Sequence, residues 1–279
     1  MTPLSLLTVR LALLGALCTL GPRPWGAPLP LQATPPAKEE PPVAELVRAM
    51  DALGIRLDPV QKLCAIEVRV GIRDDLLEYL LVAPRGQSHE SLFVTEVAPR
   101  ALNTALLALG VQPGSNVRIV AKEPPPTPEE LRDGAAAYDI EAPSGDGFYL
   151  YAGWREAGET FFYRVEDLVR DVESGRSMRR HRWVFLGSRT APDKKRPGET
   201  LFAAEVEGNL VNLALFEQGF TIVTSALPEC IQQTIWLPNA WLLPERGARV
   251  LLLFSRERLS SVPSGWDERL PLVEGQQGR

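Results

Sequence analysis

Residues 86–110 read GQSHESLFVTEVAPRALNTALLALG and combine the two local patterns that recur along this chain. Residues 92–97 form a strand-like run, and apolar residues at a helical spacing follow it. Pro99 stands in the first turn of that helical pattern and Gly110 just after its end, the usual positions for these two residues. We therefore predict a strand followed by a helix that ends at Leu109.

Strand-like runs dominate the chain from Val60 to Phe254. The clearest is residues 64–70, where apolar residues alternate with Ala65, Glu67 and Arg69 and so predict one buried face. The patterns predict about nine or ten short strands and two or three helices. This balance predicts an α+β fold, a single domain of mostly antiparallel β-sheet with two or three short helices.

The N-terminus resembles a secretion signal. Arg10 precedes the apolar run of residues 11–20, which is too short to span a bilayer as a helix. Ala27 and Ala33 are both small-residue cleavage positions, and Ala33 is favoured because Pro28 follows Ala27. We predict a signal peptide over residues 1–33 and export to the periplasm or cell envelope. A lipid anchor at Cys18 is a weaker alternative.

The rest of the chain divides into three parts. Residues 34–59 combine a Pro-rich linker with a short helical pattern ended by Gly54. Residues 60–256 contain the strand-like runs and form the predicted folded domain. Residues 257–279 are polar and contain Gly and Gln, so we predict a flexible tail.

The charge of the chain argues against binding to nucleic acid. Removing residues 1–33, which contain two arginines and no acidic residue, changes the formal net charge from −5 to −7. An acidic protein without a basic stripe binds phosphate backbones poorly. We expect contact with a membrane only through an N-terminal anchor.

His89 and Glu90 are the sharpest local candidates for chemistry, because the whole chain has only two histidines. Adjacent residues of a strand point to opposite faces, so they do not easily bind one metal ion together. A metal site would need further ligands such as His181. The sequence thus leaves two readings of His89 and Glu90: structural hydrogen bonding, or an acid/base or metal-assisted catalytic pair.

Two cysteines, Cys64 and Cys230, remain after removal of the predicted signal peptide. They cannot supply four thiolates for an iron–sulfur cluster, and no Cys-x-x-Cys motif occurs. In an oxidising compartment they could form one disulfide, although two separate buried thiols are the favoured reading. We expect no bound cofactor.

Trp236 and Trp241 flank an apolar loop, residues 237–240. Such a loop belongs either to the core, which is the favoured reading, or to a contact surface for a protein or glycan.

Several motifs are similar to one known family. Residues 88–92 and 105–110, then residues 166–178, and finally Trp183-Val184-Phe185-Leu186-Gly187-Ser188 match its motifs in order and spacing. On these motifs the chain resembles the YdjY-type domain, a bacterial exported family labelled ferredoxin-like. Residues 214–217 and 222–224 depart from the family pattern, with apolar residues in place of polar ones. The resemblance implies a fold and export, and no reaction.

Taken with the absence of nucleophile and nucleotide-binding motifs, these features predict a non-enzymatic module of the cell envelope that binds or scaffolds a partner. The predicted partner is an envelope protein or a glycan. Two alternatives remain open: an acid/base or metal-assisted enzyme centred on His89 and Glu90, and an accessory protein of an envelope redox system. The last depends only on the family label.

Overall fold

The computed structural model describes residues 42–274, and β-strands dominate this range. Its four α-helices are α1 (Pro42–Ala52), α2 (Pro99–Leu107), α3 (Pro128–Arg132) and α4 (Ala203–Glu207). The strands in its first half are β1 (Ile55–Asp58), β2 (Leu63–Val70), β3 (Tyr79–Val82), β4 (Ser91–Val94), β5 (Arg118–Ala121), β6 (Tyr138–Glu141), β7 (Gly147–Glu156) and β8 (Glu159–Arg164).

The strands of the second half are β9 (Val169–Asp171), β10 (Trp183–Phe185), β11 (Thr190–Pro192), β12 (Thr200–Phe202), β13 (Asn209–Asn212), β14 (Val223–Thr224), β15 (Trp236–Pro238), β16 (Arg249–Ser255) and β17 (Leu272–Val273). Short 3-10 helices lie at Ser88–Glu90, Val165–Leu168, Pro228–Ile231 and Asp267–Arg269.

Eight strands form a closed barrel. They are hydrogen-bonded in the order β2, β16, β7, β10, β14, β13, β3 and β4, and β4 pairs again with β2. The closing pairs place Arg69 opposite Val94 and Val70 opposite Phe93. Closure leaves these eight strands without an open edge, which protects the sheet against pairing with other chains.

The predicted α+β fold is therefore wrong, because the structure is mostly β and its main sheet closes into a barrel. Six of the eight barrel pairs are antiparallel, as expected, but two, β3 with β4 and β13 with β14, are parallel. The alternation of residues along a strand reports its buried face and not its neighbours. Closure and parallel pairing depend on contacts between distant segments, which that alternation does not encode.

Aromatic side chains fill much of the barrel interior. Phe148 packs edge-to-face against Phe185 and Phe254, with ring centroids 6.1 and 6.0 Å apart. Trp183 and Phe93 are fully buried in the same apolar cluster. Because both cysteines within residues 42–274 are free, burial of such large side chains is the main source of stability in this range.

Helix α2 confirms the helix predicted after the strand at residue 92. Pro99 occupies its first turn, and Leu102, Ala105 and Leu106 are buried. Gly110 follows with φ of +79°, a conformation that glycine adopts without steric cost.

Both ends of the predicted folded domain extend further than expected. β1 lies within the predicted linker and pairs with β2. Residues 257–274, predicted to be part of a flexible tail, instead pack on the outside of the barrel, where Trp266 is 1% exposed. β17 also pairs with β7. Spaced apolar residues within a polar segment were enough to anchor it.

Three predictions fall outside the described range: the signal peptide at residues 1–33, the anchor at Cys18 and the linker as far as Pro41. Among residues 42–274, no helix has the length and apolar character that crossing a membrane requires.

Candidate functional site

His89 and Glu90 lie in the 3-10 turn Ser88–Glu90, directly before β4 and not within the strand. The turn brings the two side chains together, with 3.6 Å between His89 Nε2 and Glu90 Oε1. The His89 side chain is 71% exposed. The strand alternation had predicted opposite orientations, so their proximity is a consequence of the turn.

Glu78, which the sequence did not single out, completes this group. Its carboxyl interacts electrostatically with that of Glu90, and its backbone N–H donates to the Glu90 carbonyl over 3.1 Å. Burial, and next the charge of Glu90, raises the pKa of Glu78, whereas His89 opposes the shift. The two carboxyls therefore compete for ionisation.

The two histidines do not share a metal site. Across residues 42–274, no set of three His, Cys, Asp or Glu side chains is placed to hold a metal ion. His181, the other candidate ligand, lies instead at one end of the barrel, next to the start of β10. Ser225 follows β14, which is antiparallel to β10, so both residues lie at the same end.

At this end, His181 is held by hydrogen bonds on both ring nitrogens. Nδ1 lies 3.1 Å from the carbonyl oxygen of Arg179, and Nε2 lies 3.2 Å from Ser225 Oγ. A carbonyl only accepts, so Nδ1 carries the proton and Nε2 accepts from the Ser225 hydroxyl. Burial lowers the pKa of His181, although Glu166 opposes the shift. The imidazole is thereby kept neutral.

Glu166 is a fully buried carboxylate beside His181. It accepts hydrogen bonds from the Trp183 indole N–H at 3.1 Å and from the His181 backbone N–H at 3.2 Å. Arg164 forms a two-pronged ion pair with it through Nε and Nη2. A buried charge needs such compensation. If either partner is removed, the other charge stays buried with neither a partner nor water to stabilise it.

Ser225 links His181 to Cys230. The Ser225 Oγ lies 3.2 Å from Cys230 Sγ, and burial raises the pKa of this thiol to about 12. Glu166, His181 and Ser225 do not form a hydrolytic triad, because His181 Nδ1 donates to the Arg179 carbonyl and lies 3.6 Å from Glu166 Oε1. Both Ser225 and Cys230 are also completely buried, so neither can contact a substrate in this structure.

The disulfide that the sequence left possible is not formed. Cys64 and Cys230 are free, buried thiols. Burial also raises the pKa of the Cys64 thiol. Both residues act as small apolar side chains of the core, the reading that the sequence favoured.

The two tryptophans of the apolar loop have opposite environments. Trp236 in β15 is 3% exposed and contributes to the core, as predicted. Trp241 is 94% exposed. Two hydrogen bonds hold the turn that carries Trp241. The Asn239 side chain donates to the Asp167 carbonyl at 3.0 Å, and Arg73 donates to the Ala240 carbonyl at 2.9 Å.

A family model described as the YdjY domain matches residues 63–255. The chain belongs to the YdjY family. This confirms the resemblance drawn from the sequence motifs. The YdjY match begins at the first residue of β2 and ends at the last residue of β16, so it covers all eight strands of the barrel. No curated protein and no solved structure matches the chain.

The YdjY match includes His89, His181 and Trp241. It excludes α1, β1 and the segment after Ser255.

Proposed function

We propose that this YdjY-family protein is an exported binding module of the cell envelope, and that Trp241 is its main contact with a partner protein. The exposure of Trp241 carries this proposal. A tryptophan that is 94% exposed places an entire indole in water, whereas the other four tryptophans among residues 42–274 are buried. Large exposed aromatic residues are typical anchors of protein interfaces.

The turn around Trp241 is rigid before binding. In addition to the bonds of Asn239 and Arg73, the Leu242 N–H donates to the Asn239 carbonyl at 3.0 Å. Arg73 is itself held by Glu245, with 2.6 Å between Nη1 and Oε2. A fixed turn loses little conformational entropy on binding, so more of the energy of burying the indole contributes to affinity.

Charged groups surround the turn. Arg73, Asp74, Glu245 and Arg246 line a shallow cavity of about 320 Å³ that also contacts Ala240. An apolar anchor within a polar rim is the usual anatomy of a protein–protein contact. This arrangement favours a protein partner with a small apolar pocket and a polar border.

Export and envelope location are part of the proposal. Support comes from the apolar run at residues 11–20 and from the exported character of the domains that the motifs resemble. The enzyme alternative has weaker support, since water surrounds the exposed imidazole of His89.

Photocrosslinking tests the proposal. A benzophenone amino acid is introduced at Trp241 or, as a control, at Val60, which is 91% exposed on another turn. In the native cells we expect a discrete protein adduct from position 241 and none from position 60. The Trp241→Ala variant should also lose the co-purified partner, while Val60→Ala retains it. Equal adducts from both positions, or full recovery with Trp241→Ala, would refute the proposal.

A further inference from the structure

We propose that the cavity beside His181 is a binding site for the phosphate group of a small ligand. This site is separate from Trp241 and does not depend on it. The cavity has a volume of about 260 Å³ and is lined by Tyr151, Arg164, Arg180, His181, Arg258 and Leu259. Three guanidinium groups thus converge on a space large enough for one phosphate group but smaller than a typical drug-binding pocket.

Each guanidinium keeps a donor that faces no protein acceptor. Glu166 engages Arg164 through Nε and Nη2, and Asp167 engages Arg180 through the same two nitrogens. The Nη1 groups of both arginines have no hydrogen-bond partner in the described part of the chain. Planar guanidinium forks with free N–H groups bind phosphate with good geometry.

Arg258 supplies the uncompensated charge. It forms no ion pair with any residue in the range 42–274, and its guanidinium lies over the Tyr149 ring at 5.4 Å from the centroid. Arg164 lies 5.2 Å from the centroid of the same ring. Three arginines therefore face two carboxylates, Glu166 and Asp167, and the cavity has a net positive charge that an anion would neutralise.

The inner wall of the cavity is rigid. Only 10% of the Arg164 side chain and 8% of the His181 side chain are exposed. Tyr151 is fixed as well, because its hydroxyl accepts from the Leu259 N–H at 2.7 Å and donates to the Leu259 carbonyl at 3.2 Å. These bonds also secure the segment that carries Arg258. Donors fixed in this way bind an anion without a large cost of reorganisation.

Phosphate fits better than a carboxylate. At neutral pH a phosphate monoester carries a charge of about −1.5 to −2 and three acceptor oxygens, so it can accept from all three guanidinium groups at once. A carboxylate has one charge and two oxygens, which two arginines already satisfy.

Binding is measured by phosphorus NMR titration of the full chain with inorganic phosphate and with methyl phosphate, at constant ionic strength. Competition with acetate tests the preference for phosphate. The key variant is Arg258→Ala, which leaves the buried Arg164–Glu166 pair intact. The matched control is Arg85→Ala, which removes another exposed arginine without an ion pair and so changes the net charge equally.

We expect saturable binding of both phosphates, weakened at least about tenfold by Arg258→Ala and unchanged by Arg85→Ala. Tighter binding of methyl phosphate would identify an esterified ligand, and equal or weaker binding of it would identify free phosphate. Three results would overturn the proposal: no saturable binding at millimolar phosphate, an equal loss in both variants, or acetate competing as well as phosphate. Because the test does not involve Trp241, its failure leaves the proposed partner contact untouched.

Discussion

The Nε2 atom of His181 lies 3.2 Å from the hydroxyl oxygen of Ser225, inside one end of the barrel. The hydroxyl is the partner of an imidazole that solvent barely reaches. Replacing Ser225 with alanine leaves that nitrogen buried and without a donor. We expect Ser225→Ala to lower the free energy of unfolding by about 1–3 kcal/mol.

Urea denaturation measures this loss, with Ser260→Ala as the control because Ser260 is exposed. The control should change stability by less than about 0.5 kcal/mol. Equal effects of the two substitutions would show that the hydrogen bond between Ser225 and His181 contributes no stability.

Acid should weaken the fold through His181. Burial lowers the pKa of this residue, so the unfolded chain takes up the proton at a higher pH than the folded chain. The stabilising contribution of neutral His181 is complete above a pH of about 6.5 and is lost as the pH falls through the lowered pKa. Between about pH 7 and about pH 5, we expect the melting temperature to decrease less in His181→Gln than in the wild type.

Thermal melts at these two pH values test the expectation. The exposed His89, replaced in His89→Gln, provides the matched control and should follow the wild type. If the melting temperature of His181→Gln decreases as much as that of the wild type, His181 is not the source of the acid sensitivity.

Glu78 should affect stability in the opposite direction from His181: it should weaken the fold as the pH rises. Burial and the charge of Glu90 raise the pKa of Glu78, so the folded chain holds this proton more tightly than the unfolded chain. The associated stability is complete below the unfolded pKa of about 4.3 and is lost as the pH rises through the raised pKa. We expect Glu78→Gln to be more stable than the wild type at neutral pH, by a few tenths of a kcal/mol because the pair is screened by water.

The gain should disappear as the pH falls below about 4.3, where both proteins carry a neutral side chain. Glu205→Gln, which removes the carboxylate paired with Arg100, is the control and should show no gain. If Glu78→Gln is destabilised at neutral pH, Glu78 and Glu90 do not repel each other.

Buried thiols should resist labelling. The pKa of Cys230 is raised to about 12, and Cys64 is equally inaccessible. In a Cys18→Ser variant we expect no reaction with Ellman's reagent in the native state and two thiols after unfolding, without added reductant. Finding no thiols in the unfolded, unreduced protein would demonstrate a disulfide between Cys64 and Cys230.

Two tryptophans provide a matched test of the C-terminal segment. Trp266 lies within the segment that the sequence assigned to a flexible tail, yet it is 1% exposed, whereas Trp241 is 94% exposed. We expect Trp266→Ala to cost about 3–5 kcal/mol of unfolding free energy and Trp241→Ala less than about 0.5 kcal/mol. Guanidinium denaturation with tyrosine fluorescence or circular dichroism measures both. A negligible loss of stability in Trp266→Ala would show that the C-terminal segment does not stabilise the fold, as the prediction of a flexible tail implies.

Local features of the fold were predictable from the sequence. The helix after residue 98 follows from Pro99, Gly110 and the apolar spacing between them, because capping and periodicity act within one element. The closing pair of Val70 with Phe93 was not predictable in this way. It depends on tertiary contacts that no local pattern reports.

The candidate sites show the same division. His89 and Glu90 are neighbours in sequence, yet their approach depends on a 3-10 turn that the strand-like run concealed. Glu78 and Glu90 are separated in sequence by β3, so no local spacing indicates that they are in contact. Likewise, Arg164 and Arg258 come from segments separated by most of the second half of the chain, and only the fold brings both to the Tyr149 ring.

The position of β16 in the sheet means that the barrel cannot close until this strand has been made. This strand, Arg249–Ser255, lies between β2 and β7, although it is the last barrel strand to be synthesised. Until it arrives, β2 and β7 each present an unpaired row of backbone donors and acceptors, which is a template for aggregation. A chain truncated before Arg249 should therefore need a chaperone to remain in solution, and premature termination late in the gene should be as harmful as early termination.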